Sequence, residues 1–344
     1  MLIRLENSGR EFEATELEYV LDAAERAGVN LPYSCRDGIC GTCKARLSSG
    51  QVDHGYSSAS ALGEGEREQG YFLMCCSIAQ TDLVVDAPVE EIGFSPGPVT
   101  LACQVRRIDH PADDVAVLYL DLPTGTTFRF RAGQYVEVLL ADGLRRSFSV
   151  ANAPQDPSTV ELHIRHVQGG RFTPRLFGNA QGGEVLKAGD SLIIEGPKGG
   201  FYLRKGVRPV ILLASGTGFA PIKSIILYGM RHKLRGPATF YWGGRKPQDL
   251  YMAAMPAQWA AEYPGFHFIP VVSEAGPDDD WSGRSGVVHK AVMADFPDLS
   301  GHDVYACGVP AMVDAARRDF VEKCGLPSDR FFADLFLTAA DRLA

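Results

Sequence analysis

The chain has 344 residues, more than one ordinary domain holds, so two or three domains are expected. Its formal net charge of −8 argues against a nucleic-acid partner. No apolar run reaches the roughly eighteen residues of a membrane span, and the opening MLIRLENSGR is charged where a signal peptide is apolar, so no membrane association and a cytoplasmic location are expected.

Two short strand-like runs, LIRLEN and EFEAT, open the chain. A helix is predicted over residues 17–28, where Val20, Leu21, Ala24 and Ala27 recur at helical spacing and Gly28 ends it. Next come Cys35, Cys40 and Cys43 in a C-x4-C-x2-C run, with a fourth thiol thirty-two residues on at Cys75, or at its neighbour Cys76. That spacing is the plant-type [2Fe-2S] ligand pattern, with three thiolates from one wrapped loop and the fourth from a distant strand. Gly38 and Gly41 let the backbone close on an inorganic core. Zinc would want two close pairs, and only one C-x2-C is present. An electron carrier is therefore expected, and the eight cysteines suit a reducing compartment. The strand candidates KARLSSGQVD, YFLMCC and DLVVDAPV complete a small mixed sheet with one helix, and Gly93-Phe-Ser-Pro-Gly-Pro98 reads as a linker. Residues 1–92 carry sixteen acidic against seven basic side chains, a net of −9, which leaves +1 for the remainder. An acidic face of this kind can steer a basic partner.

The second block, about 99–204, alternates VAVLYLDL, QYVEVLL, RSFSVAN, VELHIRHV and SLIIEGP with turns, the pattern of an antiparallel barrel. Within it stand Arg146-Ser147-Phe148-Ser149, the segment His163-Ile164-Arg165, and Gly170-Arg171-Phe172-Thr173 after Gly169, which leads into a predicted helix start suited to a pyrophosphate. His163 and His166 lie three apart with no third ligand nearby, so a metal is not expected there.

The third block, from 205, alternates strands and helices as a doubly wound parallel sheet does. Its first strand, PVILLAS, runs into Gly216-Thr217-Gly218-Phe-Ala-Pro221, where glycines would admit a dinucleotide pyrophosphate. Strand VYAC ends at Cys307-Gly308-Val309-Pro310-Ala311-Met312, ahead of a helix closed by Gly325. Asp334-Leu335-Phe336 comes eight residues before the end, and Phe331 and Phe332 read as core.

On these motifs the first block resembles the β-grasp plant-type ferredoxins, whose fourth cysteine precedes an aspartate by seven residues; Asp82 then selects Cys75, and Cys76 becomes a buried neighbour. Blocks two and three resemble the flavin and nicotinamide domains of the ferredoxin-NADP reductase superfamily. That resemblance implies that Arg146 contacts FAD phosphates, Phe148 lies by the isoalloxazine, Ser149 bonds near N5, and the backbone of His163 to Arg165 frames the mononucleotide half. The family's usual aromatic is tyrosine, so Phe148 loses one hydroxyl bond. It further implies that Cys307 sits against nicotinamide C4, and that Asp334 and Phe336 act at the flavin. The order ferredoxin (1–92), FAD barrel (99–204), NAD(P) domain (205–344) resembles the one-chain reductases of bacterial oxygenases, such as the benzoate and terephthalate dioxygenase systems, and a CDP-deoxysugar dehydrase reductase. It excludes the layout with a C-terminal ferredoxin. The resemblance implies a [2Fe-2S] cluster, FAD and NADH or NADPH, with NADH preferred. It further implies a monomer delivering electrons from its acidic ferredoxin domain to a terminal oxygenase or another iron-containing acceptor. The alternatives are a sugar dehydrase as acceptor, or a stand-alone NADH oxidase or ferric reductase.

Overall fold

The computed structural model describes residues 1–87, 89, 97–156, 158–178, 184–204, 206–232 and 236–336. Most of the expected linker (93–96) and the tail Leu337 to Ala344 lie outside these.

The first unit comprises β1 (Leu2–Leu5), β2 (Glu11–Glu13), α1 (Val20–Arg26), β3 (Lys44–Ser49), β4 (Val52–Asp53), α2 (Glu64–Glu68), β5 (Tyr71–Leu73), β6 (Ile78–Ala79) and β7 (Leu83–Asp86). Its main sheet has the order β2-β1-β7-β3-β5, with β1 and β7 parallel and the other pairs antiparallel. Helix α1 is shorter than predicted, because Tyr19 is still extended (φ −65°, ψ 143°). Ala23 rather than Ala27 faces the core, and Ala27 is exposed. The expectation that the fourth cysteine rides on a strand is corrected too. β5 stops at Leu73, and Cys75 and Cys76 sit in the turn that follows, where the Cys76 and Ser77 amides bond back to Leu73 O.

The second unit is an antiparallel barrel of β8 (Val99–Ala112), β9 (Val115–Asp121), β10 (Tyr135–Leu139), β11 (Arg145–Ser149), β12 (Thr159–Arg165) and β13 (Ser191–Lys198), in the order β11-β10-β13-β8-β9-β12. A bridge between Val150 and Leu162 brings the outer strands together. Strand β8 was not legible. Only Cys103 and Val105 of its fourteen residues are buried, so the period-2 signal is too weak to read. The helix expected after Gly170 is a three-residue 3-10 turn, Thr173–Arg175.

The third unit comprises β14 (Val210–Ser215), α3 (Phe219–Arg231), β15 (Ala238–Gly244), α4 (Ala254–Glu262), β16 (Phe266–Val272), β17 (Arg284–Ser285), α5 (Val288–Asp295), β18 (Asp303–Gly308), α6 (Pro310–Cys324) and β19 (Phe331–Leu335). All its pairs are parallel in the order β17-β16-β15-β14-β18-β19. The chain leaves β14 in one direction and returns on its other side at β18. That reversal opens the crevice at the carboxyl ends of β14 and β18 where such sheets bind ligands. Pro310 starts α6 and Gly325, at φ +68°, ends it.

The units are not separate beads. Ile39 and Cys40, 8 % and 1 % exposed, pack into the same apolar cluster as Val313, Ala316 and Ala333 of the parallel sheet. Tyr33 O accepts a hydrogen bond from Gly200 N of the barrel unit, and Thr42 Oγ1 approaches Ala333 O at 3.5 Å.

Candidate functional site

One cavity of about 990 Å³ is walled by all three units. The barrel wall is β11, held in register with β10 so that Ser149 faces Tyr135 and Phe148 faces Val136. Alternation along the strand leaves Arg146 and Phe148 half-buried, while Ser147 is exposed and Ser149 is buried at 4 % exposure. The Phe148 ring packs on Phe172 at 5.6 Å. Beyond β12 the chain turns through Gly169 (φ +71°). Thr173 Oγ1 closes that turn, accepting from Val167 N at 3.0 Å and donating to Val167 O at 3.1 Å. A Cβ on Gly170 would lie 2.9 Å from both Thr173 Oγ1 and Val167 O, so this tight closure requires glycine. Arg171 is exposed and paired with Asp142 at 2.6 Å. Arg165 is the unsatisfied member. Its Nε and Nη2 are buried without a hydrogen-bond partner among the described residues, with Asp114 and Asp249 only at 3.4 and 3.8 Å. A half-buried guanidinium with two such nitrogens, at the cavity wall, fits a phosphate bound there.

His163 takes another part. Its Nδ1 lies 2.7 Å from Tyr251 Oη and its Nε2 2.8 Å from Glu161 Oε1, so both ring nitrogens are engaged. Burial pushes its pKa down, against the pull of Glu161. Lys223 of α3 donates to both Glu161 oxygens at 2.8 and 2.7 Å, tying barrel to sheet. His166 instead packs against Phe177, the ring centroids 4.8 Å apart and the planes tilted by 42°.

The opposite wall is the carboxyl edge of the parallel sheet: Ser215, Gly216, Thr217, Gly308, Val309 and Met312. Gly308, at φ +148°, allows Ser215 Oγ to sit where its Cβ would be, and Ser215 Oγ accepts from Val309 N at 3.1 Å. Gly216 (φ +52°) faces the Arg165 guanidinium, its Cβ position 3.4 Å from Nη2. Gly218 serves the packing of the turn. A Cβ there would lie 2.2 Å from Cys307 O, so this glycine admits β18 to the turn and does not line the cavity. Cys307 is fully buried, with burial and then Asp334 pushing its thiol up. Register pairs Cys307 with Asp334 and Gly308 with Leu335, and Phe336 N donates to Gly308 O at 3.0 Å. Ile164, Cys307 and Pro310 contribute no cavity wall either; Ile164 is in the barrel core and Cys307 in the core of the parallel sheet, behind Gly308.

The third wall was not foreseen: Ser34, Cys35 and Asp37 of the cysteine loop face the same cavity, as does buried Tyr135. Nothing in the local sequence announces either, since both arise from packing between units. Ser34 Oγ donates to Asp334 Oδ1 at 2.6 Å. In the loop, Cys35 Sγ accepts from Asp37 N and Cys40 N, each at 3.4 Å, and Gly38 and Gly41 both have φ +70°. A Cβ on Gly38 would meet Tyr56 O at 2.5 Å. The thiols associate in pairs, Cys35 with Cys40 and Cys43 with Cys75. Hydrogen bonds from Cys43, then Cys76, hold Cys75 below the usual thiol range, at about 3, while the bond to Cys75 pushes Cys76 up. The Cys76 thiol also reaches the main-chain oxygen of Leu73 at 3.7 Å. Among the described residues no three such side chains converge as on a single ion. Two pairs of thiols suit two bridged irons, each taking two thiolates, so the loop fits the cluster.

Three family models match the chain: the 2Fe-2S iron-sulfur cluster binding domain over residues 3–80, the oxidoreductase FAD-binding domain over 102–202, and the oxidoreductase NAD-binding domain over 212–318. The chain is 38 % identical over 335 residues to the CDP-6-deoxy-L-threo-D-glycero-4-hexulose-3-dehydrase reductase of Yersinia pseudotuberculosis, covering 97 % of this chain and 98 % of that one. It is 35 % identical to the terephthalate 1,2-dioxygenase reductase component 1 of Comamonas, covering 98 % and 97 %. Among solved structures, the Amycolatopsis cytochrome P450 reductase GcoB superposes with a TM-score of 0.75 at 32 % identity, covering 98 % and 99 %.

Proposed function

From the premise that the chain belongs to the one-chain iron-sulfur flavoprotein reductases of the ferredoxin-NADP reductase superfamily, which pass electrons from NAD(P)H through FAD to a [2Fe-2S] cluster, we propose that its acceptor is the terminal oxygenase of a multicomponent system. One observation carries the relay: the cysteine loop, the barrel strand β11 and the carboxyl edge of β14 and β18 wall a single cavity. No carrier has to travel between them.

When bound, FAD takes a hydride's two electrons together and gives them up singly, and a cluster carries one at a time. The chain's residues then have separable roles. Arg146, with the unsatisfied Arg165, holds phosphate; Ser147 to Ser149, the backbone of His163 to Arg165, and the turn Gly170 to Thr173 frame the flavin. Phe148 stacks, and Ser149 presents a buried hydroxyl. Gly216 and Thr217 receive the nicotinamide cofactor's pyrophosphate. Gly308 and Met312 form the wall behind the nicotinamide ring, with buried Cys307 and Pro310, the start of α6, supporting them and Asp334 and Phe336 at its edge. Cys35, Cys40, Cys43 and Cys75 ligate the cluster. NADH is the proposed donor; the exposed Arg245 at the cavity rim is the side chain that would admit a 2′-phosphate.

The acidic first unit is the proposed docking face of a monomer acting in the cytoplasm. No helix among the described residues is long and apolar enough to cross a membrane. The loop's side away from the parallel sheet is covered by the segment around Tyr56, a 67 % exposed aromatic. A second reading, a CDP-deoxysugar dehydrase as acceptor, is favoured by the 38 % identity with such a reductase.

The test is reconstitution. Purified protein is expected to show flavin and iron-sulfur absorbance and to reduce cytochrome c with NADH faster than with NADPH. Cys40→Ser should keep flavin-level dye reduction and lose cytochrome c reduction; equal loss of both defeats the sequential relay. Coupled NADH use on adding a terminal oxygenase, against a CDP-sugar dehydrase, chooses between acceptors, and rapid NADH use with neither would make the protein a stand-alone oxidase.

A further inference from the structure

Helix α6, which starts at Pro310, reaches the cavity with Met312, and about one and a half turns after that residue it presents Arg317 to the cysteine loop. Arg317 Nη2 donates to the main-chain oxygen of Cys40, and its Nη1 stands 3.3 Å from where a Cβ on Gly41 would lie. The guanidinium rests over the Phe331 ring, 4.9 Å from its centroid. No carboxylate among the described residues comes within ion-pair distance of it. Its acidic neighbours are otherwise occupied: Glu66 is paired with Lys44 at 2.6 Å, and Asp314 is bonded to Ser60. Burial pulls the Arg317 pKa down from its ordinary value and the Cys40 thiol pushes it back up; a guanidinium in a protein stays charged regardless. An unpaired cation is thus held against the ligand loop by another unit of the fold.

We propose that Arg317 is a positioning residue for the one-electron step between flavin and cluster. Its fixed charge stabilises the negative charge that the cluster and its four thiolates gain on reduction, and so raises the cluster's potential while the cysteine loop is seated on α6. The step balances simply: one electron leaves the reduced flavin, one iron is reduced, and no bond to a protein atom forms or breaks. The inference rests on the reading that the loop carries a cluster. It extends that reading by making the cluster's driving force a property of the nicotinamide unit, from which the charge is supplied.

The experiment is an EPR-monitored redox titration of the full-length holoprotein, with the flavin potential measured in the same samples as an internal reference. Arg317→Gln keeps a donor for Cys40 O and removes the charge; Arg317→Met serves should that variant lose its cluster. The expected result is a cluster potential lower by about 59 mV, a tenfold less favourable one-electron transfer from flavin, with the flavin potential unmoved. Arg317→Lys, which keeps the charge, should stay near wild type. A neutral variant with an intact cluster and the wild-type potential overturns the proposal, as does a lysine variant that falls as far as the glutamine one. Absence of a cluster signal from the wild-type protein would instead overturn the reading of the loop.

Discussion

Ser34, the residue before the first cysteine of the loop, donates a 2.6 Å hydrogen bond to Asp334, three hundred positions away on the last strand of the parallel sheet. Asp334 is buried and stands in register with Cys307. One residue therefore joins the iron-sulfur loop through its side chain to the strand behind the nicotinamide site through its backbone.

Burial raises the Asp334 carboxyl from 3.8 to about 6, with the Ser34 hydroxyl opposing. The folded state then binds this proton more tightly than the unfolded chain. The associated stability is complete below about 3.8 and is lost as pH rises through about 6. The full effect is worth roughly 3 kcal/mol at 1.36 kcal/mol per decade. Asp334→Asn removes the ionisation, so its melting temperature should gain on wild type between pH 4 and pH 7. Thermal melts across that window check this, and a constant offset would count against an ionising Asp334.

Cys75 pairs with Cys43, whereas the Cys76 thiol turns to the main-chain oxygen of Leu73 at 3.7 Å, which separates two adjacent thiols by role. Cys75→Ser should lose the iron-sulfur absorbance and bound iron while keeping flavin. Cys76→Ser should keep both. Iron and sulfide analysis of the two purified variants decides the register, and the opposite pattern would assign the fourth ligand to Cys76.

Glu161 and Lys223 form a buried ion pair between barrel and parallel sheet, with side chains 8 % and 5 % exposed. Despite burial, His163 and Lys223 hold the Glu161 carboxyl down at about 2. Such a depressed acid contributes stability that is present above about 4.5 and lost as pH falls toward 2. Lys223→Met strands the carboxylate and should cost about 3–5 kcal/mol at neutral pH. Pairing it with Glu161→Gln should restore most of that loss. Urea denaturation of the single and double variants measures both, and additive losses would mean that the pair is not coupled.

Gly218 lets β18 approach the turn after β14, its Cβ position only 2.2 Å from Cys307 O. Gly218→Ala should push back buried Cys307 and, with it, Gly308 and Val309, which do line the cavity. Since about 1 Å of misplacement can cost 10²-fold, flavin reduction by NADH should slow by at least tenfold with flavin content unchanged. Anaerobic stopped-flow bleaching of the flavin reads this directly, and a wild-type rate would remove Cys307 from a positioning role.

The fold class was legible because each unit has its own signal: clustered thiols with glycines between them, period-2 runs, then apolar strands alternating with helices. The motifs Arg146 to Ser149, Gly170 to Thr173 and Asp334 to Phe336 all reach the cavity. What escaped notice depends on contacts between units. Tyr135 sits in an unremarkable strand, and Ser34 and Arg317 matter only because they meet partners hundreds of residues away. The part played by Gly218 is not legible because spacing alone cannot distinguish a glycine that admits a ligand from one that admits a strand. Strand β8 escaped because a mostly exposed strand carries too little alternation to read.

Ile39 and Cys40 fill a hollow in the core of the last unit. The module that looks most detachable in sequence is, in three dimensions, a plug. A natural fusion or engineered truncation that exchanged the iron-sulfur segment would have to supply an equivalent apolar residue at position 39 or leave an open socket beside α6. In this chain, exchange of the first unit is thereby tied to the shape of the last one, whatever acceptor is served.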